Sequence, residues 1–109
     1  MATKMKKYGG SDAHKRAVLH MIGQVEYMVY GDVKVRDVAT WMNVCKRTAL
    51  KHLKRMEANG EVVLTKVPYK NTYMYTVKLS SDTYNEYMDG YFVNDYQLYC
   101  QHVLGIIGQ

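Results

Sequence analysis

The first apolar stripe of the chain has the three- and four-residue spacing of an amphipathic helix. Its members are Val18, Met21, Ile22, Val25 and Val29. Ser11 and Asp12 offer an N-cap before the stripe, and Gly31 follows it where a left-handed residue is favoured. The pattern predicts a helix from Ser11 to Gly31, in which the interior Gly23 costs about 1 kcal/mol relative to alanine.

The next segment predicts a short extended piece followed by two helices. Val33-Lys34-Val35 is expected to be extended, Arg36–Met42 to form a second helix, and Asn43-Val44 to form a turn. A third helix is expected from Cys45 or Lys46 to Asn59, with Gly60 as its terminator. The inner positions of these two helices are Val38, Ala39 and Met42, then Ala49, Leu53 and Met56.

Two stretches rich in Val, Thr and Tyr predict a β-hairpin. They are Glu61–Val67 and Thr72–Leu79, and Pro68-Tyr69-Lys70-Asn71 supplies turn residues between them. On the second strand, alternation places Tyr73, Tyr75, Val77 and Leu79 on one face.

The C-terminal segment predicts two short helices or one kinked helix. A helix start is expected at Ser80-Ser81-Asp82, with Thr83 and Glu86 as a capping box. Asn94 with Gln97 resembles a second capping signal. The predicted fold class is therefore α+β and mostly α, with three helices, a β-hairpin and an added C-terminal helical segment.

Composition is that of one globular domain. The chain has 109 residues, of which 48% are hydrophobic and 23% charged. No window of about 18 uncharged apolar residues suggests a membrane span, and no apolar stretch follows the basic N-terminus as in a signal peptide. The two cysteines, Cys45 and Cys100, fit a reducing compartment. We expect a cytoplasmic protein that does not bind membranes.

Charge is segregated along the chain. Residues 1–79 carry all fifteen Lys and Arg residues but only six Asp and Glu residues, a net charge of +9. Residues 80–109 carry four acidic residues and no basic one, a net charge of −4. A basic body indicates a polyanionic partner, although a merely well-solvated surface is the alternative.

The third predicted helix carries an uninterrupted basic face. The stripe of buried positions leaves Arg47, Thr48, Lys51, Lys54 and Arg55 pointing outward, flanked by Lys46 and His52. Within this helix no acidic residue precedes Glu57, whereas a helix that is simply solvated is expected to carry acids at four-residue spacing from its basic residues. A helix of this kind fits the major groove of double-stranded DNA. The residues expected to contact DNA are Lys46, Arg47, Thr48, Lys51, His52 and Arg55.

The string DVATWMNVCKRTALKHLKRMEANGEVVLTK resembles the winged helix-turn-helix family, particularly its MarR-like and ArsR-like regulators. The resemblance covers roughly residues 11–79. It implies that the third helix enters the major groove and that the hairpin is a wing against phosphate or minor groove. The wing residues that it implies are Lys66, Tyr69, Lys70 and Asn71. The chain departs from the family where Lys34 and Cys45 stand at helix starts that usually carry Ser or Thr.

The ends of the chain predict two further roles. Residues 1–10 form a basic arm whose Lys4, Lys6 and Lys7 are candidates for groove contacts. Residues 11–80 form the winged domain, and residues 81–109 are expected to mediate a homodimer. The candidate interface residues are Phe92, Tyr96, Tyr99, Val103 and Ile106. The alternative is that this segment folds back onto its own domain.

Catalytic, metal and cofactor sites are not predicted. The four histidines are scattered, and no nucleophile, phosphate loop or carboxylate pair can be assembled. Cys100 and His102 would not share a helix face, so a zinc site is disfavoured and no cofactor is expected. Cys45, at a helix N-terminus among cations, is either a reactive thiol that could control DNA binding or a replacement for serine.

These features predict a sequence-specific double-stranded DNA-binding protein, most simply a small transcriptional regulator. The small size suits a phage, archaeal-virus or plasmid regulator. A replication or partition factor would use the same surface. A winged-helix module that binds only proteins is an alternative of another class.

Overall fold

The computed structural model describes residues 8–29 and 32–99. Its helices and strands follow one another in the order that the apolar pattern predicts. The elements are α1 (Asp12–Val29), β1 (Val33–Lys34), α2 (Val35–Met42), α3 (Lys46–Ala58), β2 (Val62–Tyr69), β3 (Thr72–Leu79), α4 (Ser81–Met88) and α5 (Val93–Tyr99). This order confirms the mostly helical α+β class. No helix within these ranges combines the length and apolarity needed to cross a bilayer.

The sheet has three antiparallel strands in the order β1-β3-β2. The short extended piece before α2 is β1, and its Val33 pairs with Val77 of β3. β3 is therefore the central strand, and it ties the start of the helix-turn-helix to the hairpin. Burial of Val33 and Val77 at this pairing, both at most 1% exposed, joins the sheet to the core.

The core lies between α1, α2, α3 and the inner face of the sheet. Its fully buried large side chains are Leu19, Ile22, Met42, Leu53, Val18, Val33, Val38, Val62 and Val77. The stripes predicted for α2 and α3 are confirmed, since every predicted inner position of these two helices is buried. Their burial fixes which side of α3 remains in solvent.

The ends of α2 and α3 use the backbone chemistry that the sequence indicates. Asp37 accepts a hydrogen bond from the backbone N–H of Lys34 at 3.1 Å, which caps α2 without a hydroxyl. Asn43 ends α2 in the left-handed conformation at φ 56°, and Gly60 follows α3 at φ 77°. The side chain of Cys45 makes no capping hydrogen bond to α3.

The hairpin is longer than predicted. β2 continues through Pro68 to Tyr69, and Tyr69 pairs directly with Thr72. The turn is thus only Lys70 and Asn71, with Lys70 at φ 54°. Proline is tolerated within β2 because this strand lies at the edge of the sheet, where a missing N–H costs no ladder hydrogen bond.

Both capping signals predicted in the C-terminal segment are wrong, although the two short helices are confirmed. Ser80 caps α4, because its hydroxyl accepts a hydrogen bond from the backbone N–H of Thr83 at 3.3 Å. Thr83 is therefore in the first turn of α4 and is not its cap. α5 begins at Val93, so Asn94 lies inside that helix.

The C-terminal helices pack on α1 of the same chain. Phe92 is 2% exposed and belongs to the chain's own core, and Tyr96 stacks on His20 of α1. The assignment of Phe92 to an interface between two chains is corrected accordingly, because its ring is already covered. Tyr99 is the last residue of α5. Val103 and Ile106 lie outside the described residues.

Candidate nucleic-acid interface

The exposed side of α3 is uniformly basic. Burial of Ala49, Leu53 and Met56 turns the opposite side of this helix to solvent. Five cationic side chains are exposed there: Lys46, Arg47, Lys51, Lys54 and Arg55. The structure thus brings the predicted cations of this helix together on one accessible surface.

The acidic residues next to this surface are engaged elsewhere. Glu57 accepts a hydrogen bond from the backbone N–H of Leu64 at 3.0 Å, which ties its carboxylate to β2. Glu61 forms an ion pair with Lys15 at 2.8 Å. Among the described residues, neither carboxylate forms an ion pair with a cation of α3, and the five cations outnumber Glu57 on this helix.

The N-terminus of α3 presents a thiol beside a hydroxyl. Cys45 Sγ lies 3.2 Å from Thr48 Oγ1. This hydrogen bond to the Thr48 hydroxyl is the largest cause that lowers the pKa of the exposed Cys45 thiol. Thr48 is half-buried, so it borders the basic face and does not stand at its centre.

His52 differs from the other predicted contact residues, because it packs against the N-terminal segment. Its ring meets the ring of Tyr8 edge-on at 4.8 Å between centroids. Burial, followed by the charges of Arg55 and Lys51, lowers the pKa of His52. The imidazole therefore lies at the margin of the basic face and favours its neutral form.

Tyr8 fixes the end of the predicted arm to the domain. It is 8% exposed, and its backbone N–H donates to the carbonyl of Met42 at 2.9 Å. Burial, with the charges of Glu61 and Asp12, raises the pKa of its phenol to about 12. The structure thus places Tyr8 inside the folded unit. Lys4, Lys6 and Lys7 lie outside the described residues.

The wing places its lysines over tyrosine rings. Lys66 Nζ lies 4.0 Å from the centroid of the Tyr73 ring, and Lys70 Nζ lies 5.2 Å from that of Tyr69. A cation over an aromatic face is held by electrostatic attraction. Asn71 is exposed beside them in the two-residue turn. All four predicted wing residues therefore lie at the distal end of the hairpin.

Lys54 and Tyr75 connect the wing to α3, a contact that the sequence-based site omitted. Lys54 Nζ lies 5.8 Å from the centroid of the Tyr75 ring, and the Tyr75 ring meets that of Tyr73 edge-on at 5.7 Å. Alternation along β3 placed both tyrosines on the core face. Towards the tip this face extends past the core, so the rings emerge beside α3. The sequence pattern had already placed Lys54 on the outward side of the third helix, and that position could have added it to the predicted site.

Metal binding finds no support in the described part of the chain. No group of three His, Cys, Asp or Glu side chains lies close enough to hold an ion there. Cys100 and His102 lie outside those residues.

Comparison with family models and with curated proteins found no match. Among solved structures, the chain is similar to the heme sensor protein PefR from Streptococcus agalactiae in complex with heme. The TM-score is 0.55 at 17% identity, over 90% of this chain and 63% of PefR. It is also similar to a mutant of MepR from a multidrug-resistant S. aureus clinical isolate. There the TM-score is 0.52 at 12% identity, over 74% of this chain and 64% of MepR.

These similarities show the fold, a winged helix-turn-helix. The expected architecture is thereby confirmed. This chain spans less than two thirds of the length of either structure.

Proposed function

We propose that this winged helix-turn-helix chain binds double-stranded DNA sequence-specifically and acts as a transcriptional regulator. The observation that carries the proposal is the exposed cationic face of α3, with which neither Glu57 nor Glu61 forms an ion pair among the described residues. The fold that the chain shares with MepR and PefR supports the same use.

The major groove accommodates α3 with its N-terminal half towards the bases. Arg47 and Lys51 are exposed one helical turn apart, so both can reach the same groove. An arginine or lysine can bond guanine O6 and N7, and Thr48 can add a hydroxyl or methyl contact. Lys46 and Arg55, which are also exposed on α3, can neutralise phosphates. His52 contributes at the margin of this surface.

The wing supplies contacts that do not depend on sequence. Lys66 and Lys70 can neutralise phosphates, and Tyr69 and Asn71 can donate to phosphate oxygens. The arm with Lys4, Lys6 and Lys7 directly precedes Tyr8, which is anchored against His52 on α3. These three lysines therefore stay candidate groove contacts.

We propose a homodimer built on apolar side chains that the fold leaves exposed. Tyr27, Met28, Met88 and Tyr91 are each more than half exposed on α1 and in the α4–α5 segment. Burial of such side chains between two copies would be favourable, and a two-fold pair could set two α3 helices about 34 Å apart on a palindrome. This surface replaces Phe92 in the proposed interface, and Tyr96 is less available to it because its ring already stacks on His20.

The duplex proposal is tested by selecting bound fragments from random double-stranded DNA and by titrating the selected site at increasing salt. We expect one enriched sequence and an affinity that falls steeply with salt, because phosphate contacts release counterions. A protein-interaction module would enrich no sequence and show no salt-dependent binding. A replication or partition factor would enrich an origin-like or repeated site instead of a promoter-like one.

The dimer proposal is tested by light scattering of the full chain at micromolar concentration. Met88→Lys with Tyr91→Lys is expected to yield a monomer. Val63→Lys, a change at a similarly exposed apolar residue of β2, should leave the dimer intact. A wild-type monomer, with and without DNA, would contradict the proposal.

A further inference from the structure

A groove beside the start of α3 combines cations with tyrosine rings. Its volume is about 380 Å³, and it lies between the starts of α2 and α3 and the distal half of the wing. The cations that line it are Lys34, Arg36 and Lys46. No acidic residue lines it among the residues that the structure describes.

The tyrosines of the groove leave aromatic surface exposed. Tyr69 is 42% exposed and Tyr73 is 49% exposed, and Tyr75 lines the groove next to them. These rings exceed what the core of the hairpin requires, since the core on β3 is completed by Val77 and Leu79. Because Tyr69 pairs with Thr72 and Pro68 pairs with Tyr73, the two exposed rings start from opposite faces of the hairpin, and both reach the groove. The fold itself does not explain their exposure.

Apolar side chains also line the groove, and this distinguishes it from a surface that contacts only the phosphates of a duplex. Val35 and Met74 line it together with the rings. Phosphates of a duplex need cations and N–H donors but no apolar surface, because the bases of a duplex are stacked inside it. Unpaired bases, in contrast, expose π faces that stack on aromatic side chains while their phosphates meet cations. The volume lies within the range of ligand pockets, ~300–1,000 Å³.

We propose that this groove binds single-stranded DNA, with bases stacked on Tyr69 and Tyr73 and phosphates on Lys34, Arg36 and Lys46. Lys66 and Lys70, which lie over the rings of Tyr73 and Tyr69, add positive charge beside the groove. Lys46 and Tyr69 also belong to the proposed duplex surface, so the two activities share part of the chain. They are distinguished by the probe and by Tyr73, which the duplex proposal does not use.

The direct test compares two labelled probes by fluorescence anisotropy with the full chain. One is a ten-nucleotide oligothymidine, and the other has the same phosphates but abasic sugars. We expect the thymidine probe to bind at least fivefold more tightly, because stacking on aromatic residues contributes from about five- to a hundredfold per base. Equal affinity for the two probes would overturn the proposal, since phosphates alone would then account for binding.

Variants of Tyr73 assign the binding to this groove. Tyr73→Leu is expected to weaken thymidine binding at least fivefold, whereas Tyr73→Phe retains the stacking face and should stay within twofold of wild type. Duplex affinity should stay within twofold for both variants. Val63→Ala, at an apolar residue of β2 with a similar exposed fraction, is the matched control and should change neither affinity. An equal loss of thymidine and duplex binding in Tyr73→Leu would overturn the proposal.

Two further measurements exclude other occupants. Cross-linking with 5-iodouracil in the oligonucleotide should label Tyr69 or Tyr73, and labelling confined to residues outside the groove would overturn the proposal. Free thymidine monophosphate should bind far more weakly than the ten-mer, because it offers one base and one phosphate. If the mononucleotide bound as tightly, the groove would be a small-molecule site and the proposed strand binding would be wrong.

Discussion

The imidazole of His20 on α1 stacks on the phenol ring of Tyr96 on α5, with the ring centroids 4.5 Å apart. The same imidazole also contacts Tyr87 of α4 at 5.2 Å between centroids. One histidine of the winged domain therefore holds both C-terminal helices. Burial lowers the pKa of His20 below its ordinary value of 6.5.

This contact predicts that stability falls on acidification. Because the pKa of His20 is lower in the folded chain, the unfolded chain binds more protons as the pH drops below about 6.5. Stability from this group is therefore present above that pH and is lost below it, with a slope of at most about 1.4 kcal/mol per pH unit. Urea unfolding between pH 7.5 and 5.5 measures the slope.

The matched variant for this prediction is His20→Phe, which keeps a stacking ring without a titrating group. Its stability should fall less on acidification than that of wild type. The difference between the two proteins isolates His20 from His52 and Glu26, whose pKa values are also shifted. Identical pH slopes would show that His20 does not titrate in this range.

Gly23 is predicted to resist substitution despite its position inside a helix. A Cβ there would lie 2.7 Å from Tyr87 Cγ and 2.9 Å from Leu79 Cδ1. Overpacking costs about 1–3 kcal/mol, whereas the helix propensity of alanine returns about 1 kcal/mol. We expect Gly23→Ala to lower the free energy of unfolding by about 1 kcal/mol. In a Tyr87→Ala background only the flexible end of Leu79 remains close, so the same change should cost less than in the wild-type background. In a Tyr87→Ala, Leu79→Ala background it should be neutral or stabilising, and an equal loss in all three backgrounds would disprove the contacts.

Arg47→Ala and Lys51→Ala are predicted to weaken DNA binding without unfolding the protein. Both side chains are exposed, so neither substitution disturbs the core. A base contact should cost about 1–3 kcal/mol and relax specificity at one position of the site. Lys78→Ala removes an exposed cation from β3 near Glu26 and should leave affinity unchanged. Wild-type affinity in an Arg47, Lys51 double variant would refute the recognition-helix assignment.

The wing lysines are predicted to act on all duplexes alike. Lys66→Ala with Lys70→Ala should weaken binding to the selected site and to random DNA by similar factors. The salt slope should flatten by about two, because each lysine neutralises one phosphate. The charge-preserving pair Lys66→Arg and Lys70→Arg should behave as wild type. A weakening confined to the selected sequence would show that the wing reads bases.

The thiol of Cys45 is predicted to be reactive at neutral pH. The hydrogen bond from the Thr48 hydroxyl lowers its pKa, which raises the fraction of thiolate, the nucleophilic form. The test uses two proteins, Cys100→Ser and Cys100→Ser with Thr48→Val, the second of which keeps the shape of Thr48 but not its hydroxyl. Iodoacetamide should alkylate Cys45 faster in the first protein than in the second. Equal rates would mean that Thr48 does not activate the thiol.

The sequence by itself determined the local elements and the chemistry of α3. The three- and four-residue spacing of Ala49, Leu53 and Met56 fixes which side of α3 is buried, and that alone exposes its cations. The turn residues between β2 and β3 likewise placed Lys70 and Asn71 at the wing tip. These features depend on residues that are close to one another in the sequence, and such local structure is determined by apolar periodicity and capping residues.

Only the tertiary structure decided which surfaces meet. An apolar stripe predicts that a helix face is buried, but it does not identify the element or chain that packs against that face. Phe92 therefore looked equally suited to a partner chain, whereas the core of its own chain buries it. Lys54 and Tyr75 are 21 positions apart, and their contact depends on how α3 packs beside the sheet. The groove beside the wing arises in the same way, because β1 pairs with β3 and so carries the start of α2 to the tyrosines.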